Sequence, residues 1–353
     1  MRKISMLDVA REAGVSKNTV SLALRNDPQI PASTRQRISE IADRLGYTRN
    51  PTVGQLMAEL RTGVATGHQA TLALINANTD PEAFKNHPTI PNYIAGCYHS
   101  SSRQGYSLDE FWLHDPELDG QRLVRIMRAR RIRGAIITGL MNHNQLPERF
   151  KELWETFPCV VTGVRTRAPA LSFSCVDHHM LAMRAFEKAI QLGYSRPALV
   201  LDDVIDYLVQ RRFSAGIMIA QMALPEARRV TPFYDVIASQ KNPERFRQWL
   251  KQEKPDVILT LYHGVERWLK DAGYKVPDDI GLIQLEHRKD HPDWSGMDQH
   301  NDKVGEAAVD MLISMLHNNE CGVPAFPRAT LIGSTWVNGK TVVSKEPAGS
   351  KPK

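Results

Sequence analysis

The chain has 353 residues, more than one hydrophobic core usually serves, so about two or three domains are expected. Its 45 Lys and Arg exceed its 39 Asp and Glu by a net charge of +6, and no apolar run approaches the roughly 20 residues of a membrane span. That excludes a membrane-spanning helix, and the opening Met-Arg-Lys-Ile-Ser lacks the apolar stretch of a secretory leader. Cys97, Cys159, Cys175 and Cys321 form no Cys-x-x-Cys pair and read as small core residues in a reducing, cytoplasmic compartment. The charge is unevenly placed. Residues 1–61 hold 10 Lys and Arg against 6 Asp and Glu, so +4 of the +6 lies there, the footprint of a phosphate-binding segment.

In chain order, Met6, Val9 and Ala10 recur at helical spacing and give a first helix one apolar stripe. Gly14 follows, where a chain leaving a helix turns with positive φ. Ser16 is placed to cap a second helix by accepting from the backbone NH of Asn18 or Thr19. On that helix Val20, Ala23 and Leu24 point inward, leaving Lys17, Asn18, Ser21 and Leu22 outward. Helix, glycine turn and a second helix offering its first residues is the geometry that reads the major groove. Pro31 suits the first turn of a third helix, whose core face is Ile38, Ile41, Ala42 and Leu45. After Gly46-Tyr47-Thr48-Arg49-Asn50-Pro51, a short segment carries Val53, Leu56, Met57 and Leu60 at i, i+3, i+4 and i+7. It is too short to hold a helix alone in water, and Gly54 weakens it further.

These elements resemble the LacI/GalR family of bacterial repressors. Asp8-Val9-Ala10, Ala13-Gly14-Val15-Ser16, Thr19-Val20-Ser21, Thr34-Arg35 and Leu45-Gly46-Tyr47 stand in that family's order and spacing. The resemblance implies base reading by Lys17, Asn18 and Leu22, although Lys17 on phosphate alone is the alternative. It further implies phosphate contacts from Ser16, Thr19, Ser21 and Tyr47, and Leu56 wedged into a central minor-groove step as the hinge folds on DNA. Leu22 departs from the Arg or polar group frequent in relatives. Leucine cannot donate to guanine and offers at most apolar contact with a thymine methyl.

From about residue 70, short apolar strands alternate with amphipathic helices. Strands are expected at 71–76, 107–113, 134–139, 159–164, 173–176, 198–201, 257–261 and 281–285. Helices are expected at 119–131, 180–192, 244–253 and 303–316. Such alternation implies parallel sheets covered by helices on both faces, and eight strands suit two sheets better than one. Val176-Asp177, Gln191-Leu192-Gly193-Tyr194, Gly273 to Pro277, Asp279 to Ile283 and Trp336-Val337-Asn338-Gly339 resemble the family's regulatory region, which is similar to periplasmic sugar-binding proteins.

The expected fold is therefore an all-α helix-turn-helix head on an α/β, two-lobed regulatory domain with parallel sheets. Expected bounds are 1–49 for the head, 50–68 for hinge and linker, and 69–343 for the effector-binding and dimerisation domain. By the resemblance, lobe 1 holds about 69–165 and 293–325, and lobe 2 about 166–292 and 326–343. Residues 344–353 read as a disordered tail. The tail has no heptads, so a homodimer and no tetramer is expected.

No Walker loop, Gly-x-Gly-x-x-Gly, Gly-x-Ser-x-Gly elbow or His-Glu-x-x-His is present, so neither catalysis nor a cofactor is expected. Asp177-His178-His179, His287, His291 and His300 offer nitrogen donors, but their spacings match no metal site. The resemblance implies an effector pocket with Arg212 at the start of a helix and Glu286, in place of the usual Asp, at the carboxyl end of a strand. Tyr93, Tyr262 and Trp336 offer flat stacking surfaces for a sugar-like metabolite. The alternative at this pocket is that Arg212 and Glu286 pair with each other. A longer stretch, His87 to Tyr93, replaces the family's usual segment there. The expected function is a transcriptional regulator, in the first instance a repressor, whose grip on a near-palindromic operator answers to a small molecule. The alternative is a sugar-binding or sugar-processing protein with no role on DNA, which leaves the first sixty or so residues without a purpose.

Overall fold

The computed structural model describes residues 5–24, 27–45, 47 and 70–345. The hinge segment, with Val53, Gly54, Leu56, Met57 and Leu60, lies outside them, as does the tail from residue 346. The head and the larger body belong to different compact units.

The described residues of the head form three helices, Met6–Ala13, Lys17–Ala23 and Ala32–Leu45. The first starts where the Ser5 amide and hydroxyl both donate to Asp8 Oδ2 at 2.9 and 2.6 Å, which satisfies an amide that has no partner inside the helix. It ends at Gly14, whose φ of 65° lies in the left-handed region, where a Cβ is penalised. The second starts at Ser16, whose Oγ accepts from the Thr19 amide at 3.0 Å, so the expected cap is present. Val9, Ala10, Ala13, Val20, Ala23, Ile38 and Ala42 are buried together. Small side chains at the crossings let three short helices approach closely enough to share one core.

The body is built on two sheets. The strands are β1 (Ala70–Asn76), β2 (Tyr106–Trp112), β3 (Ile132–Thr138), β4 (Cys159–Thr162), β5 (Ser172–Val176), β6 (Pro197–Val200), β7 (Val257–Thr260), β8 (Gly281–Gln284), β9 (Gly296–Asp298), β10 (Ala329–Ile332) and β11 (Thr335–Val337). The first sheet runs β10-β5-β4-β3-β1-β2 and the second β11-β9-β8-β7-β6. Every pairing is parallel except β11 with β9. Parallel strands covered on both faces must be apolar throughout, and β4 to β8 are buried along their whole lengths. The reversal of order between β1 and β3 places a crevice at the carboxyl ends of the first sheet, where such folds bind ligands.

All eight expected strands are present, displaced by one or two residues. The chain leaves the first sheet after Val176, returns to it after Asp298 and leaves again after Ile332. The resemblance placed these passages earlier, near 165, 293 and 326. A buried apolar strand such as β5 fits either sheet, and β10 alternates exposed with half-buried residues, so local pattern alone could not assign them to the first.

The return passes through helix Asn301–His317, which crosses helix Ile90–Arg103 at two glycines. A Cβ on Gly96 would collide with the Asp302 carbonyl oxygen, and one on Gly305 with that of Tyr93. Alanine gains about 1 kcal/mol of helix propensity over glycine, but overpacking a fixed crossing costs up to about 3 kcal/mol or more. Steric cost dominates. Gly96→Ala and Gly305→Ala should each lower the urea midpoint; midpoints equal to or above the parent would contradict this crossing.

Candidate nucleic-acid interface and ligand cleft

On the head, Lys17 and Asn18 are exposed at the first turn of the second helix, and Leu22 is half-buried one turn on. An ammonium and an amide standing free of the core can reach base edges, the ammonium toward guanine O6 and N7, the amide toward adenine N6 and N7. Ser16 holds the helix start and shares a 2.9 Å hydrogen bond with Thr19 Oγ1. Thr19 and Ser21 are half-buried. Tyr47 packs against the head core, and its amide donates to the Ala42 carbonyl at 2.9 Å. Leu56 lies outside the described residues.

In the body, Glu286 stands just beyond β8 and is only 7% exposed. Its Oε1 accepts from Asn301 Nδ2 and its Oε2 from Arg288, both at 3.0 Å. Its charge also reaches two residues that follow β1 in the first sheet. Tyr93 is buried, and that burial together with Glu286 pushes its phenol up, so it stays neutral. Burial lowers His87, against the pull of Glu286, and His87 Nδ1 accepts the Thr89 and Ile90 amides at 3.1 and 3.3 Å. Tyr93 and Glu286 are thus brought together across the two sheets.

Arg212 is not the partner of Glu286. Its guanidinium donates to Cys175 Sγ at 3.2 Å and lies over the Phe173 ring, 5.7 Å from the centroid. Ahead of it Gln210 and Arg211 both hold a φ of 60°, which costs non-glycine residues on the order of 1–3 kcal/mol each and clusters at ligand sites. Tyr262, half-buried at the end of β7, stands beside Asp202; burial first, then that carboxylate, raises its phenol. Trp336 lies on β11, donating to Asn338 Oδ1 at 2.7 Å under the Lys188 ammonium. The contacts of Tyr262 and Trp336 are therefore separate from those of Glu286.

The sequence reading missed Arg288 and Asn301 as groups that hold Glu286. A cation two residues after a buried carboxylate is the signal that could have found Arg288. Of the histidines weighed as metal donors, His291 and His300 have other partners. His291 stacks on His263 with centroids 3.8 Å apart, and His263 meets Trp294 edge-on at 4.8 Å. His300 Nε2 pairs with Thr335 Oγ1 at 2.8 Å. Asp177 caps a helix by accepting from the Met180 amide at 3.1 Å. Among the described residues no group of three or more His, Cys, Asp or Glu is arranged to hold a metal.

Burial, reinforced by neighbouring cations, pushes His178 down to about 3 and His263 to about 4. Folded, both stay neutral where an unfolded histidine, titrating near 6.5, takes a proton. Their contribution is therefore whole above about pH 6.5 and is lost as the pH falls toward 4. Each adds a slope of at most about 1.4 kcal/mol per pH unit. Urea unfolding followed from neutral to acid pH should show this loss, and His178→Asn should make it shallower; an unchanged slope would contradict a buried neutral His178.

Residues 5–50 match the model of the lacI family of bacterial regulatory proteins, and residues 186–342 that of the periplasmic binding protein-like domain. The ribose operon repressor of Escherichia coli strain K12 is 25% identical over 327 residues, covering 88% of this chain and 92% of that protein. Among solved structures, the transcriptional regulator CelR–cellobiose complex matches with a TM-score of 0.57 at 18% identity, over 96% of this chain and 99% of that one. The lac repressor dimer bound to operator and the anti-inducer ONPF matches with a TM-score of 0.56 at 18% identity, over 97% and 100%. At that identity the likeness to the solved structures establishes the fold.

Proposed function

From a chain that belongs to the lacI family of bacterial regulatory proteins, and is thus a DNA-binding transcriptional regulator, we propose a homodimeric repressor released from its operator by a sugar-like metabolite. The observation that carries this is the exposure of Lys17 and Asn18 at the start of a capped second helix, within residues matched to the family's DNA-binding segment. A two-fold dimer reads a near-palindrome because each head meets one half-site. The bounds assigned to this arrangement are 1–49 for the head, 50–68 for the hinge and 69–343 for the regulatory domain. The protein acts in the cytoplasm, by binding rather than by catalysis and without a cofactor.

Lys17 and Asn18 are assigned to base edges, with Leu22 against a thymine methyl. Ser16, Thr19, Ser21 and Tyr47 are assigned to the phosphate backbone, where they set register and carry no sequence information. The effector lies against Glu286 and Tyr93, with Arg212, Tyr262 and Trp336 as further contacts. A carboxylate accepting from hydroxyls beside arginine and aromatic groups is polyol chemistry, and two of the similar proteins are named for ribose and cellobiose. The sugar-binding alternative without DNA leaves the head unexplained.

Operators selected from random duplexes should converge on a near-palindrome. With Asn18→Ala one base position should relax at a cost on the order of 1–3 kcal/mol; identical preference in that variant would contradict the assignment. Leu56→Ala should weaken operator binding and reduce the DNA bend while leaving effector affinity unchanged, because unstacking a step is what a minor-groove wedge contributes. Energy transfer between duplex ends measures the bend, and an unaltered bend would remove Leu56 from that role.

A further inference from the structure

A recess in the body is lined by Gly163, Arg165, Cys175, His178, Gln210 and Arg212, among others. Its walls close on one another with no space for a water as they stand, so a ligand group reaches it by displacing the exposed Arg165 side chain. Two arginines line it and no acid does. Among the described residues neither Arg165 nor Arg212 has an ion-pair partner; the one hydrogen bond of Arg212 goes to the Cys175 thiol. Burial pushes that thiol up, so it stays protonated and leaves the guanidinium charge uncompensated. Asp177, whose charge reaches Cys175, accepts the Met180 amide.

The helices His178–Gln191 and Arg212–Met222 both begin at this recess, so the positive ends of two helix dipoles meet there. Independently, His178 is 6% exposed and its Nδ1 has no hydrogen-bond partner. Buried polar atoms in native proteins are nearly always bonded, and this one belongs to a residue that lines the recess. A neutral sugar would leave the arginine charge unmatched, whereas an anion meets all three features through charge-assisted hydrogen bonds.

We propose that the ligand of this cleft carries an anionic group, a carboxylate or a phosphate, seated between Arg165 and Arg212 and accepting a hydrogen bond from His178 Nδ1. His178 makes that bond as the neutral Nδ1–H tautomer. The inference rests on the effector reading above and narrows its ligand to sugar acids or sugar phosphates.

The test is equilibrium dialysis of the full-length protein against radiolabelled inorganic phosphate and acetate, with operator affinity measured on the same samples. At least one anion should bind, about tenfold more weakly in Arg212→Met, the loss of roughly one charge-assisted contact, and more weakly in Arg165→Ala. Arg165 is exposed, so that second variant folds irrespective of the first. Phosphate alone binding assigns a phosphorylated ligand, and acetate alone a carboxylic acid. Binding of neither, or binding unchanged in both variants, overturns the proposal. A neutral sugar that releases the operator while neither anion binds overturns it too, yet leaves the effector reading standing. Anion binding lost in both variants, with no metabolite altering operator affinity, upholds the subsite and sinks the effector reading instead.

Discussion

A carboxylate removed from water must find partners or cost several kcal/mol, and the cleft of this protein is organised around one such group. Glu286 is held by Arg288, two residues on, and by Asn301, the first residue of the helix that carries the chain back to the first sheet. Its charge reaches Tyr93 and His87, both placed by the segment that follows β1. One buried charge therefore ties together groups supplied by both sheets. A ligand hydroxyl donating to this carboxylate, as proposed, would compete with Arg288 or Asn301, so ligand and lobe contacts would draw on the same acceptor atoms. A ligand shifts a conformational equilibrium only through a difference in affinity between states, and a shared acceptor is a physical source of such a difference.

The same economy holds in the head. Its core is made of Val9, Ala10, Ala13, Val20, Ala23, Ile38 and Ala42, none of which is assigned to DNA. The assigned base readers Lys17 and Asn18 are exposed, so sequence preference is free to change without disturbing the fold. Leu22, assigned to a thymine methyl, is half-buried, so the head core and the proposed contact share its surface. Its substitution would therefore alter stability and reading together.

Much of the architecture was legible because its causes are local. Gly14, Ser16 and the Val20–Ala23–Leu24 face each act within a few residues, and they define the head without tertiary knowledge. The eight expected strands were legible for the same reason. The strands β9 and β11 have three residues each and β10 alternates exposed with half-buried residues, so none of them stands out as an apolar run, and membership of one sheet or the other leaves no mark on such a run. The site was less legible. Glu286 and Tyr93 were identified and do converge, but family precedent pointed to Arg212, whereas the cation that holds Glu286 is Arg288. Arg165, His178 and Arg212 are far apart in sequence, and only the meeting of two helix starts brings them to one recess. No pattern of spacing encodes that.

The account as a whole requires that cleft and head be coupled, and coupling free energies of typically about 1–3 kcal/mol are reciprocal. The most direct measurement is operator affinity of the full-length protein by fluorescence anisotropy across a series of ligand concentrations, paired with calorimetric titration of the same ligand with and without operator. The account predicts that saturating ligand weakens operator binding roughly 5- to 150-fold, that operator weakens ligand binding by the same factor, and that Glu286→Gln diminishes both. A ligand that binds the cleft with full affinity and leaves operator affinity unchanged would contradict it.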